Sequence, residues 1–187
     1  MNKMRCFIAI DIVEDAKIFI NDYIRQNLVS SFEGVKWVKP QNLHITLVFL
    51  GDVSREAIKL IKHVMRKVCS NYHRFNIELS GLGYFPNSKK PKIIWLGVKE
   101  QPIIYKIKKE LDVELENIGF YMDKKSFVPH LTIGRVKSKI SSDIIKTLDF
   151  TATSSVKEIN LMESRLYSHG PVYINVLRCP LKNKVDS

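Results

Sequence analysis

The sequence predicts an α+β protein with two related lobes whose sheets face a common cleft. Three observations support this fold class: strand-like and helix-like periodicities alternate, the same order of segments occurs twice, and each half carries a similar His-x-Thr tetrapeptide. The composition, 45% hydrophobic and 26% charged over 187 residues, is that of a globular chain that can bury a core. We therefore expect one compact two-lobed domain over residues 1–187.

The first half contains five predicted elements in the order strand, helix, strand, helix, strand: Arg5–Ile12, Ala16–Leu28, Leu43–Leu50, Ala57–Val68 and Phe75–Leu79. The two helical segments carry apolar residues at helical spacing, and Ser54 is a suitable N-cap for the second. A linker containing Trp37 and Pro40 separates the first helix from the second strand. Gly51 and Asp52 are expected to end that strand.

The second half repeats this order with the predicted elements Lys92–Val98, Ile103–Ile118, Phe127–Val136, Ser142–Leu148 and Val156–Met162, followed by a last strand at Tyr173–Leu177. Ile8 lies 36 residues before His44, and Trp95 lies 35 residues before His130. Because the spacing is nearly the same, we interpret the chain as a duplicated strand–helix–strand–helix–strand unit. No Gly/Ser-rich linker separates the two halves.

The net charge is +11, from 30 Lys and Arg residues against 19 Asp and Glu residues. Such an excess favours nucleic acid, nucleotides or acidic membranes as partners and does not choose among them. No apolar stretch approaches the roughly 20 residues that span a bilayer, and no secretory signal is apparent, so we expect a cytoplasmic protein without membrane contact. The three widely spaced cysteines predict reduced, partly buried thiols rather than disulfides.

Two tetrapeptides of the form His-x-Thr-hydrophobic, which begin at His44 and His130, lie in equivalent predicted strands. Because side chains alternate across a strand, His44 and Thr46 share one face, and so do His130 and Thr132. One such motif is common and usually structural, but two copies at matched positions of a repeat favour function. The two-fold relation then brings one imidazole to each side of a central ligand.

Two opposed imidazoles and two hydroxyls suit in-line displacement at phosphorus. A histidine with an ordinary pKa near 6.5 can serve as base or acid near neutral pH, so one imidazole removes a proton from water and the other protonates the departing oxygen. The hydroxyls of Thr46 and Thr132 can donate to phosphate oxygens. Arg135, five residues after His130, is a candidate for stabilising the developing charge.

Other chemistries find less support in the sequence. Neither motif has the further close His, Cys, Asp or Glu that a zinc site requires, so no metal or other cofactor is expected. Motifs for a serine nucleophile and glycine-rich phosphate loops are absent. His63, His73 and His169 are expected to be ordinary surface residues.

The paired motifs resemble the 2H phosphoesterase superfamily, and in particular its LigT-like RNA 2′,3′-cyclic phosphodiesterases, also called 2′-5′ RNA ligases. Further matching segments are Arg5–Ile10, Trp37–Leu43, Leu47–Gly51, Phe85–Pro86, Trp95–Gly97, Phe127–Arg135, Glu163–Leu166 and Gly170–Tyr173. The resemblance implies antiparallel sheets that line the cleft, with helices packed outside. It also implies metal-independent opening of a 2′,3′-cyclic phosphate to leave a 2′-phosphate.

By the same resemblance His44 is the proton donor, His130 the proton acceptor, and Thr46, Thr132 and Arg135 bind phosphate. The implied partner is RNA with a 2′,3′-cyclic phosphate end, with tRNA fragments among the candidates, and we expect a monomer. Reverse, ATP-independent 2′-5′ ligation, with an RNA 5′-hydroxyl in place of water, belongs to the same chemistry. Two alternatives stay open: a phosphodiesterase of 2′,5′-oligonucleotides or small nucleotide cyclic phosphates, and a non-catalytic protein that binds RNA ends.

Overall fold

The computed structural model describes residues 3–123, 125–138, 150–168 and 170–183. These residues contain the strands β1 Met4–Asp11, β2 Val35–Trp37, β3 His44–Val53, β4 Phe75–Phe85, β5 Ile93–Val98, β6 His130–Val136, β7 Thr151–Val156, β8 Glu158–Tyr167 and β9 Gly170–Pro180. The helices among them are α1 Glu14–Asn27, α2 Arg55–Cys69 and α3 Pro102–Asn117. The short helix predicted at Ser142–Leu148 lies outside the described residues.

The strands form a sheet in the order β7-β4-β5-β6-β3-β1-β8-β9, with antiparallel neighbours throughout, and β2 pairs with β6. The order is symmetric about its centre, where β3 meets β6 through the pair Ile45 and Leu131. Along this order of eight strands, four lie on each side of the junction and form one lobe, while β2 lies outside the order against β6. The predicted two-lobed α+β fold is confirmed.

Each repeat unit contributes to both lobes. The strand β4 follows α2 in the first half of the chain, yet it pairs with β5 and β7. In the same way β8, from the second half, pairs with β1. The chain thus crosses between the lobes, and the two lobes cannot form independently from the two halves of the sequence.

The core lies between the helices and one face of the sheet. Its sheet side includes Ile8, Ile45 and Leu131, all inaccessible to solvent. The helix α2 shows how the sequence builds the other side: the Ser54 hydroxyl accepts a hydrogen bond from the Ala57 amide at 3.2 Å and so caps the helix. The opposite, concave face of the sheet carries the polar side chains of the two motifs.

Matched bulges interrupt the two central strands. On β3 the register shifts between the pairs Ile8–Val48 and Ala9–Thr46, and on β6 it shifts between Ile94–Gly134 and Trp95–Thr132. A bulge adds one residue to a strand, so the alternation of faces changes phase there. The bulges therefore determine which residues beyond each His-x-Thr motif point into the concave face.

Several element bounds differ from the sequence prediction. β3 continues through Gly51 to Val53, because Gly51, with φ of 68°, lies at a second register shift where the strand bends without ending. β6 begins at His130 rather than Phe127, since Pro129 has no amide hydrogen for the ladder. The predicted strand Val156–Met162 is two strands, which separate at Lys157 and pair at opposite ends of the sheet.

The structure also gives the state of the cysteines and the character of the helices. Cys6, Cys69 and Cys179 are free thiols, as predicted, and all three are buried rather than partly buried. Among the described helices none combines the length and the hydrophobicity that crossing a bilayer requires.

Candidate active site

The five residues predicted to carry the chemistry line one cleft of about 750 Å³ on the concave face of the sheet: His44, Thr46, His130, Thr132 and Arg135. The cleft lies over the junction of β3 and β6, where the two lobes meet. His63 and His73 are exposed and lie outside the cleft lining. His169 is outside the described residues.

Both imidazoles are held in the same way by the backbone. Nδ1 of His44 lies 2.7 Å from the carbonyl oxygen of Asn42, and Nδ1 of His130 lies 2.7 Å from that of Val128. A carbonyl oxygen only accepts, so each Nδ1 carries a hydrogen and donates it. Nε2 is therefore the atom that gains or loses a proton at each histidine.

The antiparallel junction arranges the four motif side chains as a square. Since Ile45 pairs with Leu131, the register sets His44 beside Thr132 and Thr46 beside His130. The imidazoles thus occupy opposite corners, and the hydroxyls occupy the other two. The Thr46 hydroxyl also lies 3.1 Å from Nε2 of His44, so the imidazole and the hydroxyl of this motif contact each other.

Aromatic rings flank each imidazole and restrict its orientation. Phe7 and Tyr173 lie beside His44, with ring centroids 4.9 Å and 5.0 Å away. Phe85 and Trp95 lie beside His130, at 4.9 Å and 5.8 Å. These apolar walls hold the rings in place and reduce their contact with water.

The pKa of each histidine reflects these surroundings. Burial lowers the pKa of His44 and of His130 below the ordinary histidine value, because the charged ring loses hydration. The Asn42 and Val128 carbonyls act in the opposite direction, since they accept hydrogen bonds from the ring. At His44 the charge of Asp11 also raises the pKa, whereas Arg135 and His130 lower it.

Arg135 reaches the cleft because of the bulge in β6. Strict alternation from His130 and Thr132 would place Gly134 on their face and Arg135 on the core face. The extra residue before Gly134 reverses this, so Arg135 is exposed and lines the cleft while Gly134 is buried. The alternation of side chains along the sequence alone does not reveal this bulge.

Phe49 is the counterpart of Arg135 in the first motif. It lies five residues after His44, as Arg135 lies five residues after His130, and the matched bulge in β3 turns it into the cleft. Its ring is 77% exposed. The two-fold relation thus breaks at this position, with a cation on one side of the cleft and an exposed aromatic residue, which contacts Phe7, on the other.

The cleft is strongly cationic. Its charged lining residues are Arg5, Lys36, Lys39, Arg135 and Lys137. None of the described residues that line it is Asp or Glu. Among the described residues, no group of three or more His, Cys, Asp or Glu side chains is arranged to hold a metal ion. The electrostatics of the cleft therefore suit an anion.

Several residues that line the cleft are not among those predicted from the sequence. Phe49 could have been found from its five-residue spacing to His44, which matches that of Arg135. Lys36 was assigned to a linker, although it lies in the three-residue strand β2. Tyr173 belongs to β9, which is distant in sequence from both motifs and reaches His44 only through the pairing of β8 with β1 and β9.

A match to a protein-family model shows to which family the chain belongs. A model of the 2′-5′ RNA ligase superfamily matches residues 22–167, a range that includes both His-x-Thr strands. The chain belongs to the 2′-5′ RNA ligase superfamily. This superfamily member is 35% identical over 180 residues to the RNA 2′,3′-cyclic phosphodiesterase of Methanothermobacter thermautotrophicus. The aligned region covers 93% of this chain and 97% of the relative. It is 38% identical over 177 residues to the RNA 2′,3′-cyclic phosphodiesterase of Methanocaldococcus jannaschii, and the aligned region covers 91% of this chain and 96% of the relative.

Solved structures share the fold of the superfamily member. A crystal structure from Thermus thermophilus superposes with a TM-score of 0.87 at 25% identity, over 97% of this chain and 100% of the other. Escherichia coli LigT in apo form gives a TM-score of 0.82 at 23% identity, and the superposition covers 97% of this chain and 99% of the LigT chain. The fold is therefore shared with these structures along nearly the whole chain.

Proposed function

We propose that the protein is an RNA 2′,3′-cyclic phosphodiesterase, which hydrolyses the terminal cyclic phosphate to a 2′-phosphate without a metal ion. One observation carries the proposal: two imidazoles, each with Nδ1 bound to a backbone carbonyl, lie on opposite corners of one cationic cleft. The names of the relatives, RNA 2′,3′-cyclic phosphodiesterases, support the same activity.

In the proposed reaction Nε2 of His130 accepts a proton from water as the water oxygen bonds to phosphorus. The bond from phosphorus to the 3′-oxygen breaks, and Nε2–H of His44 protonates that oxygen. The product has a 2′-phosphate and a 3′-hydroxyl, and the two histidines exchange protonation states before the next turnover. Thr46 and Thr132 donate to the non-bridging oxygens, and Arg135 stabilises their charge.

The hydroxyl of Thr46 connects acid and phosphate. It lies 3.1 Å from Nε2 of His44, so the imidazolium hydrogen can point to this oxygen while the hydroxyl hydrogen points to the phosphate. The departing 3′-oxygen then replaces Thr46 as the acceptor of the imidazolium hydrogen. A residue assigned to phosphate binding thereby also orients the acid.

The neighbours of the histidines support His44 as the acid. Asp11 is the cross-strand partner of His44, and Gly97 is that of His130. A carboxylate therefore favours the protonated ring at His44, whereas none of the described residues provides an equivalent charge at His130. Bound phosphate offsets the charge of Arg135, which otherwise opposes protonation of His44.

Ligation requires one change of reactant. An RNA 5′-hydroxyl in place of water attacks the same phosphorus, with the same two proton transfers, and leaves a 2′,5′ linkage without ATP. The cationic lining suits a second RNA strand, which supports this as a side activity of the same site.

A substrate comparison tests the proposed function. Wild-type protein, with EDTA present, is given RNA ending in a 2′,3′-cyclic phosphate, a 2′,5′-linked oligonucleotide and a mononucleoside 2′,3′-cyclic phosphate, and kcat/KM is measured for each. We expect the highest kcat/KM with the cyclic-phosphate RNA and only 2′-phosphate ends as product. A preference for the 2′,5′ linkage, tight binding without turnover, or a strict metal requirement would contradict the proposal.

A further inference from the structure

Two of the three buried cysteines are neighbours in the fold. Cys69 is the last residue of α2, and Cys179 lies on β9, 110 residues later in the sequence. Their side chains are hydrogen-bonded, with the Cys69 thiol as the donor and the Cys179 sulfur as the acceptor. Only 1% and 3% of their surfaces are exposed. Neither cysteine is among the described residues that line the cleft, so the proposed reaction does not use them.

The backbone around the two cysteines also holds their elements together. α2 packs on β9, and the segments that follow the helix and the strand are hydrogen-bonded to each other. The amide of Lys182 donates to the carbonyl of Tyr72, and the amide of Arg74 donates to the carbonyl of Lys182, both at 2.9 Å. Tyr72 and Lys182 each lie three residues after one of the cysteines. The approach of the two sulfur atoms is therefore set by the backbone as well as by their own contact.

The two thiols differ in how easily each loses its proton. The hydrogen bond from Cys69 and the nearby charge of Arg66 lower the pKa of Cys179, while burial and the charge of Glu158 act against them. The pKa of Cys69 is raised, because its hydrogen is donated to Cys179 and because burial disfavours the thiolate. The C-terminal end of α2 acts in the same direction, since it is the negative end of the helix dipole. Cys179 is therefore the nucleophile of the pair, and Cys69 is the thiol that reacts second.

The third cysteine lies in a different environment. Cys6 is on β1, opposite Gly51 and Glu163. Burial and the charge of Glu163 raise the pKa of Cys6 to about 11, so this residue stays a thiol near neutral pH. Cys6 therefore provides an internal reference for the reactivity of the pair.

We propose that Cys69 and Cys179 form a redox-sensitive pair, which a small peroxide oxidises to a reversible disulfide that ties β9 to α2. The Cys179 thiolate attacks one peroxide oxygen, the O–O bond breaks, and Cys179 becomes a sulfenic acid while the other oxygen leaves as hydroxide. The Cys69 sulfur then attacks the Cys179 sulfur, and the S–S bond forms as water leaves. In total two thiols lose two electrons and two protons, and one hydrogen peroxide is reduced to two waters.

A disulfide at this position fastens one edge of the sheet. β9 is the last strand in the sheet order, where it pairs with β8. It also carries Tyr173, whose ring lies beside His44, six residues before Cys179. A covalent bond between residues so far apart in sequence restricts the unfolded chain and thereby stabilises the folded one. Oxidation should therefore make the protein harder to unfold.

Thiol counting and mass spectrometry test the pair. The reduced protein is treated with hydrogen peroxide, desalted, and denatured with N-ethylmaleimide present. We expect one alkylated cysteine instead of three, a chain lighter by two hydrogen atoms, and a proteolytic fragment that joins Cys69 to Cys179. Dithiothreitol should restore three alkylated cysteines. The midpoint of thermal unfolding should be about 10 °C higher for the oxidised form than for the reduced form.

Serine variants separate the roles of the two sulfur atoms. In C69S the sulfenic acid of Cys179 has no thiol to react with, so dimedone should label this residue after peroxide treatment. In C179S the labelling of Cys69 should be about ten-fold lower, because burial and the helix end keep its thiol protonated. C6S removes the cysteine outside the pair and should keep both the disulfide and its stabilising effect.

Several results would overturn the proposal. Three alkylated cysteines after peroxide treatment, a disulfide that includes Cys6, or disulfide-linked dimers alone would exclude the pair. An unchanged unfolding midpoint with the disulfide formed would exclude its role in fastening β9. The wild-type count needs no substitution, so it decides the proposal even if a serine variant fails to fold. Because no readout uses RNA hydrolysis, failure of the pair leaves the proposed function untouched, and the converse also holds.

Discussion

Replacing either His44 or His130 by alanine should lower kcat for cyclic-phosphate hydrolysis by about 10²–10⁴-fold, the range typical of a general acid or base. Each change removes an Nε2 that faces the cleft and leaves the core face of its strand, with Ile45 or Leu131, unchanged. Steady-state kinetics with an RNA cyclic-phosphate substrate measures the loss, and circular dichroism checks the fold. His63→Ala and His73→Ala, at exposed positions outside the cleft, are the matched controls.

A substrate with a modified leaving group separates the two roles. Sulfur in place of the bridging 3′-oxygen gives a thiolate that leaves without protonation, so the acid becomes dispensable. We expect this substrate to restore turnover in His44→Ala and not in His130→Ala. Restoration in His130→Ala alone would reverse the assignment, and wild-type rates in both variants with the natural substrate would remove both histidines from the mechanism.

Replacing Thr46 or Thr132 by valine should lower kcat by about 10²-fold each, as expected when one donor to a developing oxyanion is lost. Valine keeps the shape and strand preference of threonine and removes only the hydroxyl, so the sheet should be retained. Rapid-quench measurement of the chemical step, with Thr153→Val at an exposed position of β7 as control, isolates the effect.

The two threonine variants should also differ from each other. Thr46 contacts Nε2 of His44, so its loss disturbs the orientation of the acid as well as phosphate binding. The sulfur-substituted substrate should therefore recover part of the activity of Thr46→Val. Equal recovery in Thr132→Val, or no loss of kcat in either variant, would count against the proposed roles.

Much of the site could be predicted from the sequence, because its main signal is local and repeated. His44 with Thr46 and His130 with Thr132 are brought to one face by the alternation of a strand, which needs no knowledge of distant contacts. Two copies at matched spacing then indicated a shared cleft. The cap at Ser54 and the end of the third helix near Ile118 were also predictable from nearby residues alone.

The rest depends on register and long-range pairing. The face on which Arg135 and Phe49 lie is determined by bulges, and a bulge appears only when two strands are placed side by side. Lys36 enters the cleft through a three-residue strand that pairs with β6, about a hundred residues away in the chain. The pairing of β4 and β8 with strands of the other half of the chain cannot be predicted from hydrophobic periodicity either. The alternation of residues within a strand is the same whichever neighbour the strand pairs with.

The pH dependence of kcat/KM for wild-type protein tests the two-histidine account most directly. The rate should fall at low pH as His130 becomes protonated, and at high pH as His44 loses its proton. Since burial lowers the pKa of both imidazoles, both limbs should lie at lower pH than for ordinary histidines, and the maximum should lie below pH 6.5. A rate that does not change between about pH 5 and 8, or one that rises with a single limb toward alkaline pH, would contradict an acid–base pair of histidines.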